Sequence, residues 1–388
     1  MAQSNLQINR ATRLGVLGYL SIFGIVFRLG PAIFRALLFG PKDQPLKPRL
    51  RNALILHMTS SLSWQQIQAT TPPSFDTYSA WTRSKGLEPV ATELRGDGTV
   101  EKPDVRVMWI GEEWKQADTQ SGRKKVLLYC HGGGFVIPMN KEFPPLMDHI
   151  KKSYAEKNPG YELSVGLLEY SVTPNKKYPY QLSQAVHALR HLISIGVPPS
   201  SIILGGDSCG GHLALSLISH ILHPFPGLPP ISLSSPLAAV LLISPCLTFF
   251  TNSQTFIENT PYDLQTGPFI SRYGSLYTEN TTYYTDVATG KYYGEPVAAL
   301  AEWWTGLSNV VKKVGVTAGE KEVFRGDVDK WVDVMKNFKE VKDGKVGLEV
   351  VVGKGECHDE PLMDFGLSYG AEKRDTTKFV VNFVAGSV

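Results

Sequence analysis

The sequence has little that would bind metal or cross-link a chain. Its four cysteines, Cys130, Cys209, Cys246 and Cys357, form no C-x-x-C pair. That excludes a zinc ribbon and a disulfide framework and reads as free thiols. A surplus of one charge is also lacking: 39 Lys and Arg stand against 36 Asp and Glu, a net of +3. Outside the N-terminal segment the excess is unclustered, so no nucleic acid is expected as a partner. No Pro/Ser linker, charge run or repeat divides the 388 residues, which argues for one main domain. The glycine loop Gly132-Gly133-Gly134 is followed by neither Lys-Ser/Thr nor a G-x-G-x-x-G pattern, so a phosphate cradle is disfavoured. No cofactor and no metal are expected. What is present is apolar material, 43% of residues, enough for a large buried core.

Acid is missing at the start of the chain, where no Asp or Glu precedes Asp43 and Arg10 and Arg13 lead into an almost wholly apolar stretch from Leu14 to Phe39. No small-x-small site follows it, which disfavours a cleaved signal peptide. A spanning helix needs about 20 uninterrupted apolar residues, and Arg28 and the Gly30-Pro31 step interrupt this one. Ser21, Arg28, Arg35 and Lys42 are evenly spaced along one helical face and leave a broad apolar face opposite. The pattern predicts a membrane surface as partner through residues 14–39, spanning or interfacial, with the arginines at the headgroups. The competing expectation is a helix packed on the protein's own substrate entrance. A sequon at Asn280-Thr281-Thr282 is compatible with a lumenal domain at the endoplasmic reticulum. A cytoplasmic location is the alternative.

Further on, helical spacing is expected from Arg51 to Trp64, strand alternation at Val105 to Ile110, and a polar loop from Trp114 to Lys125. A buried strand at Lys125 to Cys130 then runs into His131-Gly132-Gly133-Gly134-Phe135. Helices around Pro144 to Glu156, Gln181 to Ile195 and Asp327 to Phe338 alternate with strands at Leu163 to Tyr170, Ile202 to Asp207, Ala238 to Ile243, Val311 to Thr317 and Leu348 to Val352. This rhythm predicts an α/β fold with a mostly parallel, doubly wound sheet. The stretch from Phe249 to Trp304 breaks it, being rich in aromatics with weak helical periodicity. It reads as a cap whose rings form an apolar substrate pocket, about half of them filling the cap's own core.

The chemistry centres on Gly206-Asp207-Ser208-Cys209-Gly210-Gly211, a strand-to-helix turn whose glycines spare a tightly reversing backbone its Cβ clashes and leave Ser208 exposed as a nucleophile. The bare pattern recurs at Gly366-Leu367-Ser368-Tyr369-Gly370, without the strand before or the helix after. Serine needs a base and a group to orient it. Of nine histidines, those at 187, 191, 212, 220 and 223 fall in or near helices. His358 instead follows a strand near the chain end and after every candidate acid, in the order serine, acid, histidine. For the acid, Glu320, Glu322 and Asp327 compete beyond Val316-Thr317-Ala318-Gly319, with Glu322 favoured because Val323 and Phe324 would anchor its loop. Backbone N–H groups of the loop at His131 to Gly134, and of Cys209, could receive an oxyanion. His131 is expected to order that loop.

These motifs together resemble the α/β-hydrolase family related to hormone-sensitive lipase, closest to its fungal branch of steryl acetyl hydrolase-like esterases. The resemblance rests on His131 to Phe135, on Glu169-Tyr170-Ser171-Val172-Thr173-Pro174, on Gly206 to Gly211, on Thr317-Ala318-Gly319 and on His358. It departs at the acid, where Glu322-Val323-Phe324 stands near the family's D-P-L, and at Cys209, where alanine is usual. The resemblance implies an α/β-hydrolase fold over residues 46–388 with a cap insertion at about 249–304. Ahead of it, residues 1–45 would form a membrane-associating segment that also contributes to the cap. It further implies a triad of Ser208, Glu322 and His358, an oxyanion hole of Gly133, Gly134 and Cys209, and hydrolysis of a small acyl ester, acetate foremost, of a bulky hydrophobic alcohol such as a sterol or secondary metabolite. The same triad used for acyl transfer or cyclisation is one rival expectation. A non-catalytic pocket for a hydrophobic ligand is the other.

Overall fold

Aliphatic runs become eight strands of one sheet in a computed structural model that describes residues 6–115, 118, 122–366 and 373–387. The chain begins with helices α1 (Val16–Phe27), α2 (Leu29–Phe39), α3 (Leu46–Ser61), α4 (Trp64–Thr70) and α5 (Ser74–Ser84). Strands β1 (Ala91–Leu94), β2 (Val105–Ile110) and β3 (Lys124–Cys130) come next. Then follow α6 (Phe143–Lys157), β4 (Glu162–Glu169), α7 (Tyr180–Ser194), β5 (Ile202–Asp207), α8 (Ser208–Leu222) and β6 (Ala239–Ile243). After α9 (Thr255–Glu258), α10 (Gly267–Thr278) and α11 (Tyr283–Ala288), the chain ends with β7 (Lys313–Gly319), α12 (Arg325–Asn337), β8 (Gly347–Gly353), α13 (Glu360–Gly366) and α14 (Asp375–Ala385).

The strand order is β1-β2-β4-β3-β5-β6-β7-β8. β1 and β2 run antiparallel at one edge, and β4 through β8 form a parallel array. Parallel strands are covered on both faces, and β3, β5 and β6 are buried throughout. Side chains alternate between two cores: Val126, Leu128 and Leu204 pack on the side of α7 and α8, while Leu127, Tyr129 and Ile203 pack on the side of α6 and α14. Helix α7 buries Leu182, Val186, Leu189 and Leu192 at three- and four-residue spacing, the stripe that makes it a helix against a sheet.

Because β4 lies to one side of β3 and β5 to the other, a crevice opens beyond the carboxyl ends of β3 and β5. The loop at His131 and the turn at Ser208 leave the sheet there. Two local differences from the sequence reading have clear causes. The helix expected from Arg51 to Trp64 starts at Leu46 and stops at Ser61, because Ser63 and Gln66 form a capping box that begins a new helix, α4. The aromatic stretch 249–304, expected to be weakly helical, contains the 12-residue helix α10, whose first turn is capped by Thr266. The polar loop between Trp114 and Lys125 lies partly outside the described residues.

Candidate active site

At the end of β5 the chain turns so sharply that Ser208 takes a left-handed φ of 49°. The turn closes only without side chains at its glycines: a Cβ on Gly206 would sit 2.3 Å from the backbone of Gly210, and one on Gly210 would sit 1.9 Å from the carbonyl oxygen of Cys130. Strain of this kind is kept where the surroundings over-determine it. Asp207 ties the turn to the neighbouring loop, its Oδ1 accepting from Tyr129 Oη–H at 3.0 Å and from Gly132 N–H at 2.9 Å.

His358, in the loop after β8, places Nε2 3.0 Å from Ser208 Oγ. Its Nδ1 faces Glu322 Oε2 at 3.8 Å, and both side chains are buried. Glu322 is held in place by Ser244 Oγ–H at 2.6 Å and Gly319 N–H at 3.0 Å. Asp327, the competing acid, instead sits in the first turn of α12, with Ser253 Oγ 3.5 Å from its carboxylate. Glu320 is exposed and accepts from Gly355 N–H at 2.8 Å. Ser368 lies outside the described residues.

Burial alone would lower the His358 pKa, but Asp359 first and Glu322 second overcome it and hold the imidazole well above its ordinary value. Two other buried histidines go the other way. Burial lowers His131 and His212 to about 4, leaving both neutral at pH 7.

Gly133, Gly134 and Cys209 line the same cavity as Ser208 and His358. Cys209 belongs to the first turn of α8, whose N–H groups have no carbonyl within the helix to bond. The loop is braced from behind: His131 stacks on Tyr170 at 4.2 Å, and Tyr170 Oη–H donates to His131 O at 2.7 Å. All four cysteines are buried free thiols.

Above Ser208 the cavity measures about 500 Å³. Its apolar walls come from Leu54, Ile55 and Met58 of α3 and from Phe249, Phe269 and Tyr273. Other rings of the 249–304 stretch pack into the core instead, Trp304 against Trp331 and Tyr283 against Tyr178.

Sequence reasoning gave no role to Asp263, Ser244 or Asp359. Asp263 Oδ1 accepts the backbone N–H of His358 at 3.1 Å and Oδ2 that of Val323 at 2.7 Å, so it joins the histidine loop to the acid loop. It sits in a stretch with no motif to announce it, and only the three-dimensional path of the chain brings it there.

Sheet and crevice define an α/β-hydrolase fold. A solved esterase of the bacterial hormone-sensitive lipase family superposes over 94% of this chain and 96% of its own, with a TM-score of 0.53 and 18% identity. The chain belongs to the steryl acetyl hydrolase family, whose model it matches over residues 57–374. Relatives include an esterase of Acinetobacter venetianus, 28% identical over 42% of this chain and 49% of its own, and an acetyl-hydrolase of Streptomyces hygroscopicus, 29% identical over 38% and 45%. The chain thus spans about half the length of these relatives.

Proposed function

We propose that this protein is a serine carboxylic ester hydrolase that removes a small acyl group, acetyl foremost, from a bulky hydrophobic alcohol. The observation that carries the reading is Ser208 Oγ 3.0 Å from His358 Nε2 at the floor of an apolar cavity of about 500 Å³. Ser208 Oγ attacks the ester carbonyl carbon as its proton passes to Nε2. Glu322 orients the imidazole through Nδ1 and stabilises the imidazolium. The oxyanion is received by the N–H groups of Gly133, Gly134 and Cys209, each worth roughly 3 to 4 kcal/mol in such a site. Nε2 returns its proton to the departing alcohol, and water then cleaves the acyl-enzyme by the same path.

A short acyl group is in keeping with the steryl acetyl hydrolase family. The Tyr273 ring lies beside the oxyanion loop, where a Cβ on Gly134 would meet it at 2.7 Å, and apolar side chains of α3 line the same cavity. A sterol-like alcohol suits that space. The test is turnover of acetylated sterols and of p-nitrophenyl acetate by the full chain and by Ser208→Ala. Acetate esters should be cleaved faster than long acyl esters, and the variant should fall to background. Near-normal turnover by the variant would overturn the nucleophile.

A membrane surface is the proposed partner of residues 14–39. Val16–Phe39 is long and apolar enough to cross a bilayer by length and composition, and α1 buries none of its residues in the protein. Leu17 is 82% and Phe27 85% exposed, and side chains of that size favour an apolar surrounding by roughly 1.5 to 3 kcal/mol each.

A further inference from the structure

His358 meets a carboxylate at each ring nitrogen. Glu322 faces Nδ1, as the mechanism requires, but Asp359 Oδ2 lies 3.1 Å from Nε2, almost as near as the Ser208 hydroxyl at 3.0 Å. A neutral imidazole protonated on Nδ1 would aim its Nε2 lone pair at this second carboxylate. In a buried site that arrangement is repulsive, and a proton on Nε2 makes it attractive. The backbone fixes Asp359 there. Its φ is 52°, and its N–H donates at 3.2 Å to Ser244 Oγ, the hydroxyl that itself donates to Glu322 Oε2 at 2.6 Å. One serine therefore sets the positions of both flanking acids, and Ser244 too is left-handed, with a φ of 42°. Asp359 Oδ1 is buried without a partner and lines the cavity beside Ser208.

Resting on the esterase reading, we propose that Asp359 is a positioning residue that keeps a second proton on His358 Nε2 in the resting enzyme and so sets the pH at which the base becomes available. The imidazolium releases its Nε2 proton to solvent water, which leaves a neutral imidazole with its lone pair toward Ser208. As Oγ attacks the ester carbon, the Oγ proton moves to Nε2, and the imidazolium so re-formed lies again between Glu322 and Asp359.

Among the described residues, the other titratable groups that interact with His358 are Asp207 at the end of β5, Asp263 before α10, Glu322 after β7 and Cys246 after β6. Each is an acid or a thiol, so none of these supplies a cation that would oppose protonation. Burial first, and Asp359 second, hold Asp207 well above the usual carboxylate range, as expected where two carboxyl groups share one site.

The test measures kcat/KM for p-nitrophenyl acetate, and the rate of fluorophosphonate labelling at Ser208, against pH in wild type, Asp359→Asn and Asp359→Gly. Both replacements accept a left-handed backbone and keep the N–H to Ser244. The acid limb should move down by about one pH unit or more in both variants, so that below the wild-type limb each is labelled about tenfold faster than wild type. An acid limb at the same pH in all three proteins would overturn the proposal while leaving the esterase intact. A wild type that is never labelled would overturn the esterase reading and this proposal with it.

Discussion

Glu322 and Asp327 are both buried acids beyond the same strand, and what separates them is which groups their oxygens meet. Glu322 Oε2 takes two hydrogen bonds and faces His358 Nδ1 at 3.8 Å. Asp327 faces Ser253, and burial raises its carboxyl from 3.8 to about 6. Glu322→Gln should lower kcat by about three orders of magnitude, because an amide cannot hold the same imidazole tautomer or stabilise the imidazolium. Asp327→Asn should leave kcat within about threefold, because its carboxylate meets Ser253 and not His358. Stability should separate them as well. Between pH 3.8 and about 6 the folded state keeps a proton on Asp327 that the unfolded chain has lost, so stability falls as pH rises through that window. Asp327→Asn removes that loss. It should stabilise the protein above about pH 6 by on the order of 1 kcal/mol, after the favourable helix-terminus charge is given up, and converge with wild type in acid. Thermal unfolding at pH 8 and pH 4 measures both. Loss of activity in the Asp327 variant alone would reverse the assignment.

At the scale of elements, helix α3 shapes the cavity through Leu54, Ile55 and Met58, opposite the aromatic face of α10. Ile55→Trp places a large ring in that space without touching Ser208. It should raise KM for an acetylated sterol by about tenfold or more, while p-nitrophenyl acetate turnover stays within about threefold. An equal loss on both esters would place the substrate elsewhere. The strand-turn-helix around Ser208 was legible because the glycines, the apolar run before and the apolar helix after are all local to the turn. The parallel array was legible for the same reason, from buried runs alternating with amphipathic helices. What the chain did not announce is assembled by distance. Asp263 reaches His358 from a stretch with no motif, and Asp359, though adjacent to the base in sequence, gains its position only from Ser244 and a left-handed backbone. The short edge strand β1, with intermediate burial along its length, has too little apolar pattern to read.

At the scale of the molecule, both ends of the apolar N-terminal segment are tied to the same body. Before it, Asn9 Nδ2–H donates to Tyr170 O at 2.8 Å and its Oδ1 accepts from Val172 N–H at 2.9 Å. After it, Gln44 Nε2–H donates to Tyr262 O at 3.0 Å, and Asn52 donates to the same carbonyl at 2.6 Å. Between these anchors the chain is interrupted at Arg28, α2 packs along α3, and His57 Nε2 lies 3.1 Å from Ile25 O, which ties the end of α1 to α3. A helix that crossed a bilayer would carry its two ends to opposite faces, and one of these anchor sets would have to break. The expected arrangement is therefore a segment seated in one leaflet, with exposed Leu17, Phe23 and Phe27 in the acyl region and arginines at the headgroups. In sealed vesicles bearing outward-facing enzyme, Ala11→Cys and Lys42→Cys, both at exposed positions, should be labelled to the same extent by a membrane-impermeant maleimide. Labelling of only one of the two before the vesicles are lysed would mean that the segment spans, and that the Asn9 or Gln44 contacts are given up on insertion.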